Sequence, residues 1–285
     1  MKRVARIVFI GCVVGAALVG WWLIAVLRDL PDPVLVAAPR IRESTKILDR
    51  TGNETLYEIY GEEKRTVLST EQIPDILRRA TVAIEDEGFY EHGALDFRAV
   101  ARAFFVNIAR GRIAEGGSTI SQQLAKISFL RPEKTLARKI KELALALRLE
   151  RRYSKDEILN LYLNSIPYGA NAYGAEAASH TYFGKEAQEL SLAEAALLAA
   201  LPAAPSYYSP YGAHRDELFA RKDTVLRKMA DLDFITNDEA QRAREEPLVF
   251  LPQLTGIRSP HFSLAVHDYL NNTYGEEFTR SAGLR

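Results

Sequence analysis

The sequence predicts a mainly α-helical protein whose helical body follows one membrane-spanning helix. Three observations lead to this prediction. Residues 7–27 carry no charge, residues 72–243 show helical spacing of apolar side chains, and only residues 44–60 have the turn and flanking apolar residues of a β-hairpin. With 285 residues, 47% of them hydrophobic, the chain can bury a sizeable core.

The overall composition excludes some classes of function. The 37 basic side chains are balanced by 37 acidic ones, whereas a general nucleic-acid binder is usually strongly basic, so no nucleic acid is expected as a partner. Cys12 is the only cysteine, and it excludes an intrachain disulfide and a cysteine-based metal site.

The N-terminal apolar segment is long enough to cross a bilayer. As a helix, residues 7–27 would extend about 31 Å, close to the roughly 30 Å hydrocarbon core. Lys2, Arg3 and Arg6 precede the segment, so residues 1–28 are expected to form an uncleaved anchor in the inner (cytoplasmic) membrane, with a cytoplasmic N-terminus and the body outside. Proline-rich residues 29–45 are predicted to be a linker.

A second segment also relates to the membrane. Residues 97–113 place Phe97, Phe104, Phe105 and Ile108 on one face of a predicted helix, with arginines around it. This composition is typical of a helix that lies in a membrane interface, and an ordinary amphipathic core helix is the alternative.

The stretch from Ile84 to Asp96 concentrates carboxylates, a histidine and aromatic rings after a predicted helix. Extending that helix by one turn places Glu85 between apolar neighbours, while Asp86 and Glu87 turn to water. A carboxylate among apolar side chains suits acid or base catalysis near neutral pH. The alternative is an acidic helix end that gives way to a loop.

Two later segments offer groups that bind anions. After Gly116 and Gly117, a helix start carries hydroxyls, amides and an ammonium that suit phosphate or sugar oxygens, or else form a well-capped helix: Ser118, Thr119, Gln122, Gln123 and Lys126. A long helix predicted over Pro132–Tyr153 is apolar nearly all round its middle. Its Arg138, Lys139 and Glu142 nevertheless point where a core should be, as a structural ion pair or as part of a site.

Five segments, in order, resemble the motifs of the peptidoglycan glycosyltransferases of family 51: EDEGFYEH, GGSTISQQLAK, RKIKE, ILNLYLN with the following GANAYGAEAASHTYFGK, and LSLAEAALLAALPAAPSYYSP. This family comprises monofunctional transglycosylases and the first catalytic domain of class A penicillin-binding proteins. The resemblance covers residues 46–247, which are therefore predicted to form the glycosyltransferase domain. Residues 248–285 resemble the linker that leads into a penicillin-binding domain, and no Ser-x-x-Lys or Lys-Thr-Gly sequence of a transpeptidase occurs.

The resemblance implies a lysozyme-like helical fold that polymerises lipid II into β-1,4 glycan strands for the cell wall. The implied partners are lipid II, the growing strand, the bilayer and other wall-synthesis proteins. By resemblance, Glu85 is the general base, and Lys126, Arg138 and Lys139 meet the charge of the departing undecaprenyl pyrophosphate. Glu142 organises that site, either through these cations or through a divalent ion, Mg²⁺ or Mn²⁺. The motif positions that shape or line the cleft are Asp86, Phe89, His92, Ser118, Thr119, Gln122 and Gln123.

The sequence departs from the family pattern at three positions. Ala94 stands where glycine is usual, Ile127 replaces a common asparagine, and Asp233 occupies the place of a helix-ending glycine. Two alternative functions follow from the resemblance and from these departures. One is a peptidoglycan-cleaving, lysozyme-like enzyme, and the other is a catalytically weak, membrane-anchored scaffold.

Overall fold

A computed structural model of the chain describes residues 2–28, 30–33, 45–52, 55–59, 64–111, 116–130, 133, 135–252, 260–275 and 278–279. The helices are α1 (Lys2–Leu27), α2 (Asp75–Glu85), α3 (Phe97–Arg110), α4 (Ile120–Phe129), α5 (Leu136–Arg152), α6 (Lys155–Leu163), α7 (Ala175–Phe183), α8 (Leu192–Ala200), α9 (Arg215–Asp231), α10 (Asn237–Glu245) and α11 (Pro260–Tyr274). The strands are β1 (Thr45–Leu48), β2 (Thr55–Ile59), β3 (Lys64–Arg65), β4 (Pro167–Gly169) and β5 (Ala172–Tyr173). The predicted mainly helical class is confirmed.

The strands form two small sheets, of which the sequence predicted one. Strands β1 and β2 pair antiparallel, with Ile47 opposite Tyr57, and confirm the predicted hairpin. The second sheet has the order β3-β5-β4, with β3 parallel and β4 antiparallel to β5. Its strands are two or three residues long, too short for an alternating pattern to be recognised in the sequence.

Helix α8 is the centre of the core, packed against α2 and α9. Its sequence LAEAALLAA is apolar nearly all round, as expected of a helix enclosed by others. Ser191 and Glu194 start it with a capping box. The alanines allow close approach of α2, whose Leu77 and Ala80 are fully buried and whose last residue is Glu85.

Two predicted helices have shorter bounds than the sequence suggested. The helix predicted over residues 97–113 ends at Arg110, because Gly111 adopts a left-handed conformation with φ 60° and caps it. The helix predicted from Pro132 begins at Leu136, where the Thr135 side chain accepts a hydrogen bond from the backbone N–H of Arg138. Pro132 itself lies outside the described residues.

Helix α1 is 26 residues long and packs against α5. Across all the described ranges, however, no helix combines the length and the hydropathy that a membrane span requires.

The backbone accommodates two of the departures from the family pattern. Asp233 follows α9 with φ 55°, a left-handed conformation that aspartate tolerates better than most residues. Ala94 is buried and its φ is not positive, so this position does not need the conformational freedom of glycine. The remaining departure, Ile127, is partly exposed on α4.

Candidate active site

Glu85 ends helix α2, and polar groups hold its carboxylate from two sides. The Gln123 side-chain amide donates to Glu85 Oε2 at 2.9 Å, and the guanidinium of Arg221 lies 3.7 Å from Oε1. The sequence predicted apolar neighbours, but the structure adds an amide and a cation. Only 11% of the Glu85 side chain is exposed. The carboxylate is therefore sheltered and oriented rather than freely solvated.

Two buried tyrosines lie behind Glu85. The Tyr162 hydroxyl donates to Gln123 Oε1 at 2.9 Å. Burial, and then the negative charge of Glu85, raise the pKa of both Tyr162 and Tyr168 far above the usual range. The Tyr168 hydroxyl is buried and has no hydrogen-bond partner among the described residues. Both phenols therefore remain neutral at any pH at which the protein works.

Asp86 was predicted to turn to water, and this prediction is wrong. Helix α2 ends before it, and Asp86 turns inwards to accept from the backbone N–H of Ile120 at 3.0 Å. Its other oxygen lies 2.6 Å from His92 Nε2, while His92 Nδ1 lies 2.6 Å from the Gly93 carbonyl. Burial raises the pKa of Asp86, and these hydrogen bonds oppose the rise. Asp86 and His92 therefore join the loop after α2 to the start of α4.

Three more predicted site residues reinforce the same loop. The hydroxyl of Thr119 and the amide of Gln122 both donate to the Ala94 carbonyl, at 3.0 and 2.8 Å. Phe89 is fully buried, and the ammonium of Lys155 lies 4.5 Å from its ring centroid. Phe89 thus shapes the site from within the core.

Glu142 lies in a second cluster and is almost completely buried. Arg138 donates to Oε2 at 2.8 Å, and the ammonium of Lys139 pairs with Oε1. Lys139 also donates to Ser118 Oγ at 2.8 Å and to Gln122 Oε1 at 3.0 Å. The Glu142 carboxylate therefore holds both Arg138 and Lys139 in place, and the side chains of these two cations remain partly exposed.

Helix α4 connects the two clusters through consecutive residues. Gln122 contacts Lys139 in the Glu142 cluster, whereas Gln123 contacts Glu85. Lys126 lies one turn further along α4 and is exposed, with no ion pair to the described residues. The structure therefore brings a sheltered carboxylate and several cations to one helix.

The described residues contain one group that could hold a metal ion, Asp86, His92 and Asp96, with ligand atoms within 4.8 Å of one another. Each of these side chains already has a structural partner. Asp86 and His92 bond to each other, and Asp96 caps α3 by accepting from the backbone N–H of Arg98 at 2.8 Å. Glu142 is not in this group, because its neighbours are cations.

Sequence reasoning missed three residues beside Glu85. Arg221 comes from α9 and Tyr162 from α6, while Tyr168 is in β4. In the sequence, Tyr162 is one residue of the ILNLYLN segment, Tyr168 lies just after that segment, and Arg221 is one of many charges in residues 215–231. None of these patterns says that the residues meet Glu85.

The described part of the chain is thus a helical domain in which a sheltered glutamate lies near a group of cations. The family can be stated more closely, since residues 52–230 match the family model described as Transglycosylase. The chain belongs to that family.

Similar proteins include Penicillin-binding protein 1A of Aquifex aeolicus, 43% identical over 90% of this chain and 35% of that protein. Penicillin-binding protein 1F of Bacillus subtilis is 46% identical over 73% of this chain and 29% of that protein. A crystal structure of Penicillin-binding protein 1A from Haemophilus influenzae covers 85% of this chain and 26% of that chain, at 25% identity and a TM-score of 0.49. The chain spans about a third of the length of the curated relatives it matches.

Proposed function

We propose that the protein is an inverting peptidoglycan glycosyltransferase that polymerises lipid II into β-1,4 glycan strands and releases undecaprenyl pyrophosphate. One observation carries the proposal: consecutive glutamines of α4 connect a sheltered carboxylate, Glu85, to cations organised on Glu142. A base and an anion site so joined fit a sugar transfer whose leaving group is a pyrophosphate. Membership of the transglycosylase family supports the same reaction.

In the proposed reaction Glu85 takes the proton from the 4-hydroxyl of the acceptor GlcNAc. The hydroxyl oxygen then forms a bond to the anomeric carbon of the donor MurNAc, as the bond from that carbon to the pyrophosphate oxygen breaks. Attack from the opposite face converts an α-linked pyrophosphate into a β-1,4 linkage. The electron pair leaves with the pyrophosphate, and Lys126, Arg138 and Lys139 stabilise that charge as it develops.

The contacts of Glu142 favour an interaction with the side chains of Arg138 and Lys139 over the binding of a divalent metal ion. Both carboxylate oxygens already bind Arg138 or Lys139, so Mg²⁺ or Mn²⁺ would have to displace a cation. We therefore propose no step that requires a bound metal. When present, a divalent ion would add positive charge at the pyrophosphate.

For the membrane, we propose that α1 anchors the chain and that α3 lies against the bilayer surface. The support is the uncharged segment 7–27 in the sequence, together with the exposed side chains of Phe97, Phe105 and Ile108 on α3, at 77%, 69% and 63%. A helix that lies at the bilayer surface would place the site close to the membrane, so that the lipid tail of the substrate can remain in the bilayer during the reaction. Other wall-synthesis proteins are further proposed partners, for which the family resemblance is the support.

The test is a polymerisation assay with the full chain in detergent or vesicles and labelled lipid II. We expect polymer that lysozyme digests, and loss of that polymer with Glu85→Gln. Shortening of preformed glycan without growth from lipid II would instead identify a cleaving enzyme. If wild type and Glu85→Gln are equally inert, the scaffold alternative replaces the proposal.

A further inference from the structure

The side chain of Gln123 forms the middle of a three-residue chain of hydrogen bonds behind Glu85. Its Nε2 group donates to Glu85 Oε2 at 2.9 Å, and its Oε1 accepts from the Tyr162 hydroxyl at 2.9 Å. Tyr162 is fully buried on α6, while Gln123 is on α4. These two hydrogen bonds therefore connect the buried core to Glu85, the candidate base.

When Glu85 is ionised, only one arrangement of protons satisfies all three groups. An ionised Glu85 can only accept, so the amide must present its N–H side to it, and the amide oxygen then faces Tyr162. Burial raises the pKa of Tyr162 well above the usual range, so its hydroxyl keeps the proton that it donates. If that hydroxyl were absent, the Gln123 oxygen would lose this donor and the amide could turn away from Glu85.

The packing around the hydrogen-bonded chain is stiff. Tyr162 is enclosed in the core, where a phenol ring has little freedom to move, and helices α4 and α6 pack against each other. A rigid core side chain can hold an amide in one orientation, whereas a water molecule in the same place could exchange and rotate. The position of the amide is thus set from the core side.

We propose that Tyr162 is a positioning residue for the general base and acts through the amide of Gln123. The amide N–H stabilises the ionised form of Glu85 and directs the carboxylate into the cleft, and Tyr162 keeps the amide in that orientation. This inference rests on the proposed function for its catalytic meaning. The hydrogen-bonded chain itself can be tested without any turnover.

The first test titrates the Glu85 carboxyl by infrared difference spectroscopy on the full chain in detergent, with its band identified by loss in Glu85→Gln. Because a hydrogen bond to the carboxylate favours the ionised form, Tyr162→Phe should move the titration midpoint to higher pH. The matched control is Tyr211→Phe, which removes a phenol hydroxyl that donates to the Leu251 carbonyl at 2.8 Å and has no contact with Gln123. An unchanged midpoint in Tyr162→Phe overturns the proposal, whether or not the protein polymerises lipid II.

The second test is a double-mutant cycle on lipid II polymerisation. We expect Tyr162→Phe to lower kcat about 10-fold with little change in KM, the size of effect typical of a lost oriented hydrogen bond. The acid limb of its activity profile should move to higher pH. Gln123→Leu should lower kcat further, and Tyr162→Phe should add nothing to Gln123→Leu, because Tyr162 acts only through the amide.

Independent effects of the two substitutions would contradict the proposal, as would a Tyr162→Phe variant whose only defect is a lower melting temperature. An inactive wild type would overturn the proposed function, and the infrared titration would still decide the role of Tyr162.

Discussion

Glu85 and Glu142 are the same residue type, yet the fold gives them opposite environments. At Glu142 each carboxylate oxygen binds a cation, and the side chain is almost completely buried. At Glu85 one oxygen accepts from a neutral amide, and the nearest guanidinium is 3.7 Å from the other. A carboxylate engaged by two cations is a poor proton acceptor, whereas one held by a neutral amide stays available. The difference supports the proposed roles, a general base for Glu85 and an organiser of cations for Glu142.

The largest effect should come from removing the base. Glu85→Gln keeps the shape and the contact with Gln123 but removes the proton acceptor, so we expect polymerisation to fall by about 1,000-fold, within the range for general-base catalysis. The melting temperature should change little, since the ion pair with Arg221 that is lost is a long one, at 3.7 Å. Rates with labelled lipid II measure the effect, and the exposed Glu91→Gln of the same loop is the control. Near-normal activity in Glu85→Gln would remove the contrast between the two glutamates.

A smaller loss of activity with a clear loss of stability is expected at Glu142. Glu142→Gln leaves Arg138 and Lys139 without their shared anion, so we expect kcat/KM to fall by about 100-fold. The free energy of unfolding should fall by about 2 kcal/mol, less than for a fully buried pair because Lys139 is partly exposed to water.

Denaturant unfolding beside the polymerisation assay measures both effects of Glu142→Gln, with the exposed Glu133→Gln as the control. A variant that loses activity while keeping full stability would mean that Glu142 acts directly on substrate.

Lys126 has no ion-pair partner among the described residues, so its substitution tests whether this cation acts only on the substrate. Because its ammonium is exposed, Lys126→Met should reduce kcat/KM by only about 10-fold and leave stability unchanged. The deficit should shrink as salt is raised, since an exposed charge is screened. A loss of stability instead would show that Lys126 belongs to the fold rather than to the anion site.

The smallest expected effect is a pH dependence of stability at Asp86, which faces His92 and Lys155. Burial raises its folded-state pKa above the ordinary value of 3.8. Its contribution to stability is therefore fully present below that value and is lost as pH rises through the raised pKa. The Asp86→Asn side chain does not ionise. The difference in free energy of unfolding between wild type and this variant should therefore decrease as the pH rises from 3.8 through the raised pKa of Asp86.

Melting temperatures of both proteins from pH 3 to pH 7 measure the decline, and Asp216→Asn, an exposed carboxylate, controls for the general loss of charge. The decline should be small, because the hydrogen bonds from Ile120 and His92 oppose the effect of burial on the pKa of Asp86. An advantage that grows with pH would mean that the hydrogen bonds to the carboxylate outweigh its burial.

Periodicity alone was sufficient to predict the helices whose apolar faces are strongest. The prediction was least accurate at their ends, where a cap decides: Gly111 ends α3 three residues early, and Thr135 starts α5. The helix before Asp86 was predicted to continue for one more turn, but it ends at Glu85, and the Asp86 side chain turns inwards towards Ile120 instead of towards water.

The amino-acid sequence by itself determined the helical class, the β1–β2 hairpin and the family, because these depend on local periodicity and on motifs in a fixed order. Only the tertiary structure decided which glutamate is paired and which is held by an amide. That outcome depends on Tyr162 and Arg221, which other helices bring to α2 and α4. Long-range packing sets the environment of a carboxylate, and no local pattern in the chain encodes which distant side chain will lie beside it.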